Sequence, residues 1–202
     1  MFTIIRIILL VIVSVCVVWI IKKSKCKFKK VFFSNLTVAL CIVLVSISSM
    51  FPVENLFLSY QSPEKVFNYV KSGQIYNIID GRESSLVIYN TGNSTYSYYI
   101  IPKTSDGYKI PNYFTQKKIS HKFNKQGAFE VYNVKGTQDY YVSCTVNLTD
   151  ISEDILVFNS ENEKIESKVI NIKYTNFVFL WMPEFSDGCY LMINDEKIVL
   201  SA

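Results

Sequence analysis

Few residues in this chain are suited to chemistry, and their spacing narrows what that chemistry can be. One histidine, His121, sits among Lys117, Lys118 and Lys122. A Ser–His or Cys–His pair would need this imidazole as its base, yet no carboxylate adjoins it in sequence to orient the ring. A solvated strand histidine is the plainer account. The five cysteines divide by position. Cys16 and Cys41 fall inside apolar runs, where a thiol packs as a small hydrophobe, and Cys26 lies among lysines. Cys144 and Cys189 belong to the larger C-terminal part. In an oxidising compartment they would form a disulfide worth about 2–4 kcal/mol; as separate buried thiols they would only fill core. Neither has a neighbouring cation or helix start to activate it. With no Cys-x-x-Cys and no Cys/His spacing, neither a zinc site nor any other metal is expected.

The acidic pieces are Asp150, Glu153 and Asp154, then residues 161–166, Asp187, and the pair Asp195 and Glu196. Calcium needs several oxygens converging from one tight loop, and no Asp-x-Asp-x-Asp-Gly pattern is present. Two carboxylates at a fixed separation would hydrolyse a glycan, but with 17 acids some pair always lies close. No glycine-rich phosphate loop occurs, and no cofactor is expected. Aromatic residues are plentiful, with 14 Tyr and 14 Phe. Tyr96 and Tyr98 share one strand face and, with Lys117, Lys118 and Lys122, make a candidate binding surface for a peptide or carbohydrate. Tyrosine also favours strands, so ordinary sheet packing competes with that reading. The sequons at Asn93 and Asn147 matter only in a eukaryotic secretory setting. The bias towards Lys, Ile, Asn and Tyr is instead that of an AT-rich bacterial genome.

These residues must be held by elements whose pattern changes along the chain. Residues 2–21 and 31–51 are apolar runs flanking lysines 22, 23, 25, 27, 29 and 30. About twenty apolar residues match a hydrocarbon core roughly 30 Å thick. The expectation is a two-span transmembrane hairpin with Lys22, Lys23, Lys25, Lys27, Lys29 and Lys30 in a cytoplasmic loop over 22–30. These lysines would set topology and meet lipid headgroups. Both ends then face outward, N-out and C-out, making the protein multi-pass in the cell membrane with residues 52–202 extracytoplasmic. Arg6 would snorkel to the outer interface, and Ser46, Ser48 and Ser49 would let the spans approach closely. Removing Arg6 and the six lysines leaves 14 basic against 17 acidic residues in the remainder, a balance of −3. A surface of that sign excludes nucleic acid as a partner.

Beyond a linker over 52–61, Ser62-Pro63-Glu64 opens a short helix, with a side-chain cap, proline at the first position and an acid facing the dipole. Val66, Phe67 and Val70 give it one apolar face, and Gly73 stops it. Period-two strands follow over 75–79, 85–89, 95–103 and 108–110, separated by Asp-Gly and Asn/Gly turns. Residues 62–111 therefore read as a helix plus an antiparallel meander. After a crossing loop at 111–116, strands are expected over 118–123, 128–134, 140–148, 155–159, 164–170, 177–182, 189–193 and 198–200. Residues 112–202 read as sandwich-like, with Val142, Cys144 and Val146 facing the core. The expected fold is a membrane-anchored α+β chain. The expected function is a tethered extracytoplasmic binding module for a protein or cell-envelope partner, not an enzyme. An envelope hydrolase using carboxylates and an accessory subunit of a membrane complex are the alternatives.

Overall fold

The computed structural model describes residues 2–23, 27–92, 95–125, 127–146, 155–172 and 175–200, with a subset of side chains in its first two helices. The apolar runs do form helices, α1 (Phe2–Lys23) and α2 (Lys27–Met50). Both extend into the expected loop because lysine is itself a good helix former. Lys22 and Lys23 close α1, where cations suit the helix C-terminus. The two helices touch each other. Ser46 donates back to the Ile42 carbonyl at 2.9 Å rather than to the other helix, and Lys23 Nζ stands 4.9 Å from the Trp19 ring.

Among the described residues, no helix is long and apolar enough to cross a membrane. This corrects the two-span hairpin. With it go the integral-membrane partner, the N-out/C-out orientation, the extracytoplasmic placement of residues 52–202 and the topological role of Lys22, Lys23, Lys25, Lys27, Lys29 and Lys30. Lys25 and Cys26 lie outside the described residues, as do the side chains of Arg6, Lys27, Lys29, Lys30, Ser48 and Ser49. So do Asn93, Asn147, Asp150, Glu153 and Asp154.

Met1–Leu58 and Ser59–Ala202 are two compact units. A 3-10 turn, Val53–Leu56, occupies the expected linker. The second unit opens with α3 (Pro63–Val70), whose N-cap is Ser62 and whose first residue is the expected proline. The Ser62 hydroxyl makes no capping bond. Strands β1 (Gln74–Asp80), β2 (Ser84–Gly92), β3 (Thr95–Thr104) and β4 (Gly107–Tyr108) form a four-stranded meander in chain order. Val66 and Phe67 are fully buried beneath α3, and the Phe67 ring lies 4.8 Å from that of Tyr89 and 6.4 Å from that of Tyr99. The helix thus covers one face of the meander, as its single apolar stripe requires.

The other strands build two further sheets. The five-stranded sheet has order β5 (Gln116–Asn124), β6 (Gly127–Val134), β7 (Tyr140–Val146), β10 (Phe177–Met182), β9 (Lys168–Asn171). The three-stranded sheet has order β12 (Glu196–Val199), β11 (Tyr190–Ile193), β8 (Leu156–Phe158). Every strand pair among the described residues is antiparallel. One core lies between the five- and three-stranded sheets, where Val142, Cys144, Val146, Val178 and Leu180 meet Val157, Leu191, Ile193 and Ile198. On the opposite face of the same five-stranded sheet, Tyr132, Tyr141, Phe179 and Trp181 meet Ile79, Leu86, Ile88 and Ile100 of the meander.

Three sheets are therefore stacked, with the five-stranded one buried on both sides. The two-sheet sandwich expected over 112–202 is only part of this arrangement. The face of β7 that carries Ser143 and Thr145 also carries Tyr141, which is 1% exposed because the meander covers it.

One buried carboxylate fastens the meander to the central sheet. Asp139, just before β7, is completely buried. Its Oδ1 accepts the Arg82 amide at 2.8 Å and the Trp181 indole N–H at 2.7 Å. Its Oδ2 accepts the Glu83 amide at 2.8 Å and the Ser84 hydroxyl at 2.6 Å. Four donors satisfy the lone pairs of a charge that could not otherwise be removed from water. The β1–β2 turn comes this close because Gly81 has no side chain. A Cβ there would lie 2.6 Å from the Tyr141 hydroxyl and 2.7 Å from the Asp139 carboxylate.

Candidate functional site

Strand β5 carries the sequence Gln-Lys-Lys-Ile-Ser-His-Lys-Phe-Asn and stands at one end of the five-stranded sheet. Among the described residues its strand partner is β6 alone, which makes it an edge strand. The register shifts between Lys118 and Ser120, placing Lys118 opposite Tyr132, His121 opposite Glu130 and Lys122 opposite Phe129. Such a shift re-aims side chains along a strand.

On one face of this edge the charged groups converge. Glu130 Oε1 accepts from Lys118 Nζ at 2.5 Å and lies 3.9 Å from His121 Nε2. Its Oε2 accepts the Tyr132 hydroxyl at 2.7 Å. The Tyr132 ring is 5.5 Å from Lys118 Nζ and 5.5 Å from the Tyr98 ring. Burial acts to raise the Glu130 carboxyl, but the bonds from Lys118 and Tyr132 and the nearby charges outweigh it and hold it below its ordinary value. Burial pushes the Tyr132 phenol up to about 12, the bond with Tyr98 opposing and that with Glu130 reinforcing. Tyr98 is raised too, chiefly by burial. At neutral pH the phenols are therefore un-ionised hydrogen-bonding groups, not bases.

The candidate residues read from the sequence separate here. Tyr98 and Lys118 are joined through Tyr132 and Glu130. Tyr96 packs elsewhere, its ring 5.3 Å from that of Tyr76 and 6.2 Å from that of Phe177. Lys117 and Lys122 stand opposite Asn133 and Phe129, in register positions alternate to those of the Glu130 cluster. His121 does gain a carboxylate neighbour across the strands, invisible to a reading of adjacent residues. Ser120 is not placed to be its nucleophile, being buried with its hydroxyl donated to the Leu200 carbonyl at 2.7 Å.

Cys144 and Cys189 are both fully buried in the same core and are not bonded to each other. Burial drives the Cys144 thiol far up. The acidic segment 161–166 is organised as a turn, with Asn159 Oδ1 accepting the amides of Glu161 and Glu163 at 2.9 and 2.8 Å.

Apolar side chains flank the lysines. Phe123 is 80% exposed, Ile119 42%, and Tyr113 in the preceding loop 75%. This edge strand thus brings cations and apolar surface together. Compared with protein-family models, curated proteins and solved structures, the chain matches none.

Proposed function

We propose that the second unit is a binding module whose β5 edge takes up an acidic, extended polypeptide segment as an additional strand. The carrying observation is a nine-residue edge strand with one strand partner among the described residues, bearing Lys117, Lys118 and Lys122 beside exposed Ile119 and Phe123. Strand addition draws its affinity from main-chain hydrogen bonds and its selectivity from alternate side chains. Lysines and a bulge blunt an edge against a second copy of itself, because like charges oppose each other. The same lysines favour a strand of opposite sign. The unit as a whole is slightly acidic, so the preference is local to this edge.

The experiment uses the full chain, isotope-labelled, and an alternating Glu-Val peptide about ten residues long, matched to the length of β5. The expected result is amide shifts along 116–124, with an affinity that falls as salt screens the charges. Lys117→Glu combined with Lys122→Glu should abolish binding. Equal binding of an alternating Lys-Val peptide, or shifts confined to other strands, would refute the reading.

A further inference from the structure

A cleft of about 400 Å³ opens where the β1–β2 turn, the start of β7 and the segments around Lys164 and Phe185 come together. We propose that this cleft binds a neutral oligosaccharide. The inference is independent of the β5 edge and rests on four features of the cleft's walls.

Its apolar side is a pair of rings. Tyr140 and Phe185 have centroids 6.1 Å apart and planes inclined at 34°, and both are backed by the inner core. Rings fixed from behind leave their other surfaces for the cleft. A pyranose presents one face of C–H groups that covers such a ring without needing charge.

The polar side is balanced. Arg82 and Lys164 contribute two cations, Glu166 and Glu184 two carboxylates, and the Arg82 guanidinium is 3.8 Å from Glu166. Two charges of each sign leave the lining with no net charge to concentrate a phosphate or a polyamine. With Gln138 they supply both donors and acceptors, which suits hydroxyls because each hydroxyl both donates and accepts. The volume falls in the range of small-ligand sites, roughly 300–1,000 Å³.

The walls are also set in advance. Gln138 and Tyr140 flank Asp139, and the Asp139 carboxylate holds the Arg82 and Glu83 amides, so one buried group positions residues on both sides of the opening. Such preorganisation lowers the ordering cost of binding a flexible, well-hydrated ligand.

The test titrates the full chain with cellohexaose, chitohexaose, maltohexaose and laminarihexaose, read by amide shifts and calorimetry. The expected result is saturable binding of at least one, with shifts at Gln138, Tyr140 and Phe185. Phe185→Ala and Glu184→Ala should each weaken it about tenfold or more. Glu184 is exposed, so its replacement keeps the fold even where loss of Phe185 loosens the core. The Lys117→Glu, Lys122→Glu variant should bind the sugar normally, which separates this site from the β5 edge. Absence of shifts at these residues with all four sugars at about 10 mM, or binding that survives both cleft substitutions, would overturn the proposal. So would preferential binding of inorganic phosphate there.

Discussion

Replacing Asp139 with alanine removes the acceptor for four donors at once, and the structure allows the loss to be apportioned. The Trp181 indole N–H and the Ser84 hydroxyl are enclosed, at 2.7 and 2.6 Å from the carboxylate. Each enclosed donor left without an acceptor costs about 1–3 kcal/mol. Ser84 recovers part of this because the Tyr141 hydroxyl is 3.0 Å away. The amides of Arg82 and Glu83 belong to a turn that water reaches, so they add less. The expected destabilisation is about 3–5 kcal/mol, a large share of the roughly 5–15 kcal/mol that holds a typical domain together. Asp139→Asn keeps one oxygen, enough for Arg82 and Trp181, but sets an NH₂ against the Glu83 amide. It should cost about 1–3 kcal/mol. Urea unfolding of the full chain, followed by Trp181 fluorescence in a Trp19→Phe background, reads both values. Ser84→Ala should be strongly non-additive with Asp139→Ala, since the two remove one shared bond. If Asp139→Ala shifts stability by less than about 1 kcal/mol, or adds independently to Ser84→Ala, this carboxylate does not fasten the layers.

Three further outcomes follow from other parts of the unit. Because Glu130 is held below its ordinary value, its contribution is present above the unfolded carboxylate pKa and is lost as pH falls through the folded one. Urea midpoints should therefore fall on acidification below about pH 4, and Glu130→Gln should flatten that slope; an unchanged slope would contradict the cluster. Gly127 has φ +145°, and a Cβ there would lie 2.0 Å from the Thr145 carbonyl oxygen. Gly127→Ala should cost about 3 kcal/mol or more in unfolding free energy, whereas a change under about 1 kcal/mol would show that β6 and β7 are not held as described. With Cys16, Cys26 and Cys41 replaced by serine, the thiols of Cys144 and Cys189 should react with a maleimide only as fast as the unit unfolds. Prompt labelling in native buffer would place them outside the core.

Much of the unit's secondary structure was legible because its signals are local. Proline at the start of α3, the Asp-Gly and Asn/Gly turns of the meander, and the alternation of Val142, Cys144 and Val146 all act within a few residues. The stacking of the sheets was not. Tyr141, Phe179 and Trp181 lie on faces whose burial depends on a meander that comes much earlier in the chain, and period-two alternation identifies one inward face, not two. Asp139 reads as an ordinary turn acid in Gln-Asp-Tyr, since its partners Arg82, Glu83 and Ser84 are more than fifty positions away. Glu130 likewise gains its role only through cross-strand register. At the N-terminus the apolar runs gave helices, as their composition implies. Lys22, Lys23 and Lys27 extend these helices into the expected 22–30 loop because lysine is itself a good helix former.

The central sheet also constrains the order in which this chain can be assembled. The meander is complete by Tyr108, but the surface it packs on includes Phe179 and Trp181 of β10, some seventy residues later. During synthesis α3 and the meander leave the ribosome with one face covered and the other waiting. Neither core closes until β10 slots in beside β7, a long-range pairing of the kind that makes β-rich chains fold slowly. A chain ended before Phe177 would therefore lose both cores rather than one, and the helix–meander portion would be left with its docking face bare.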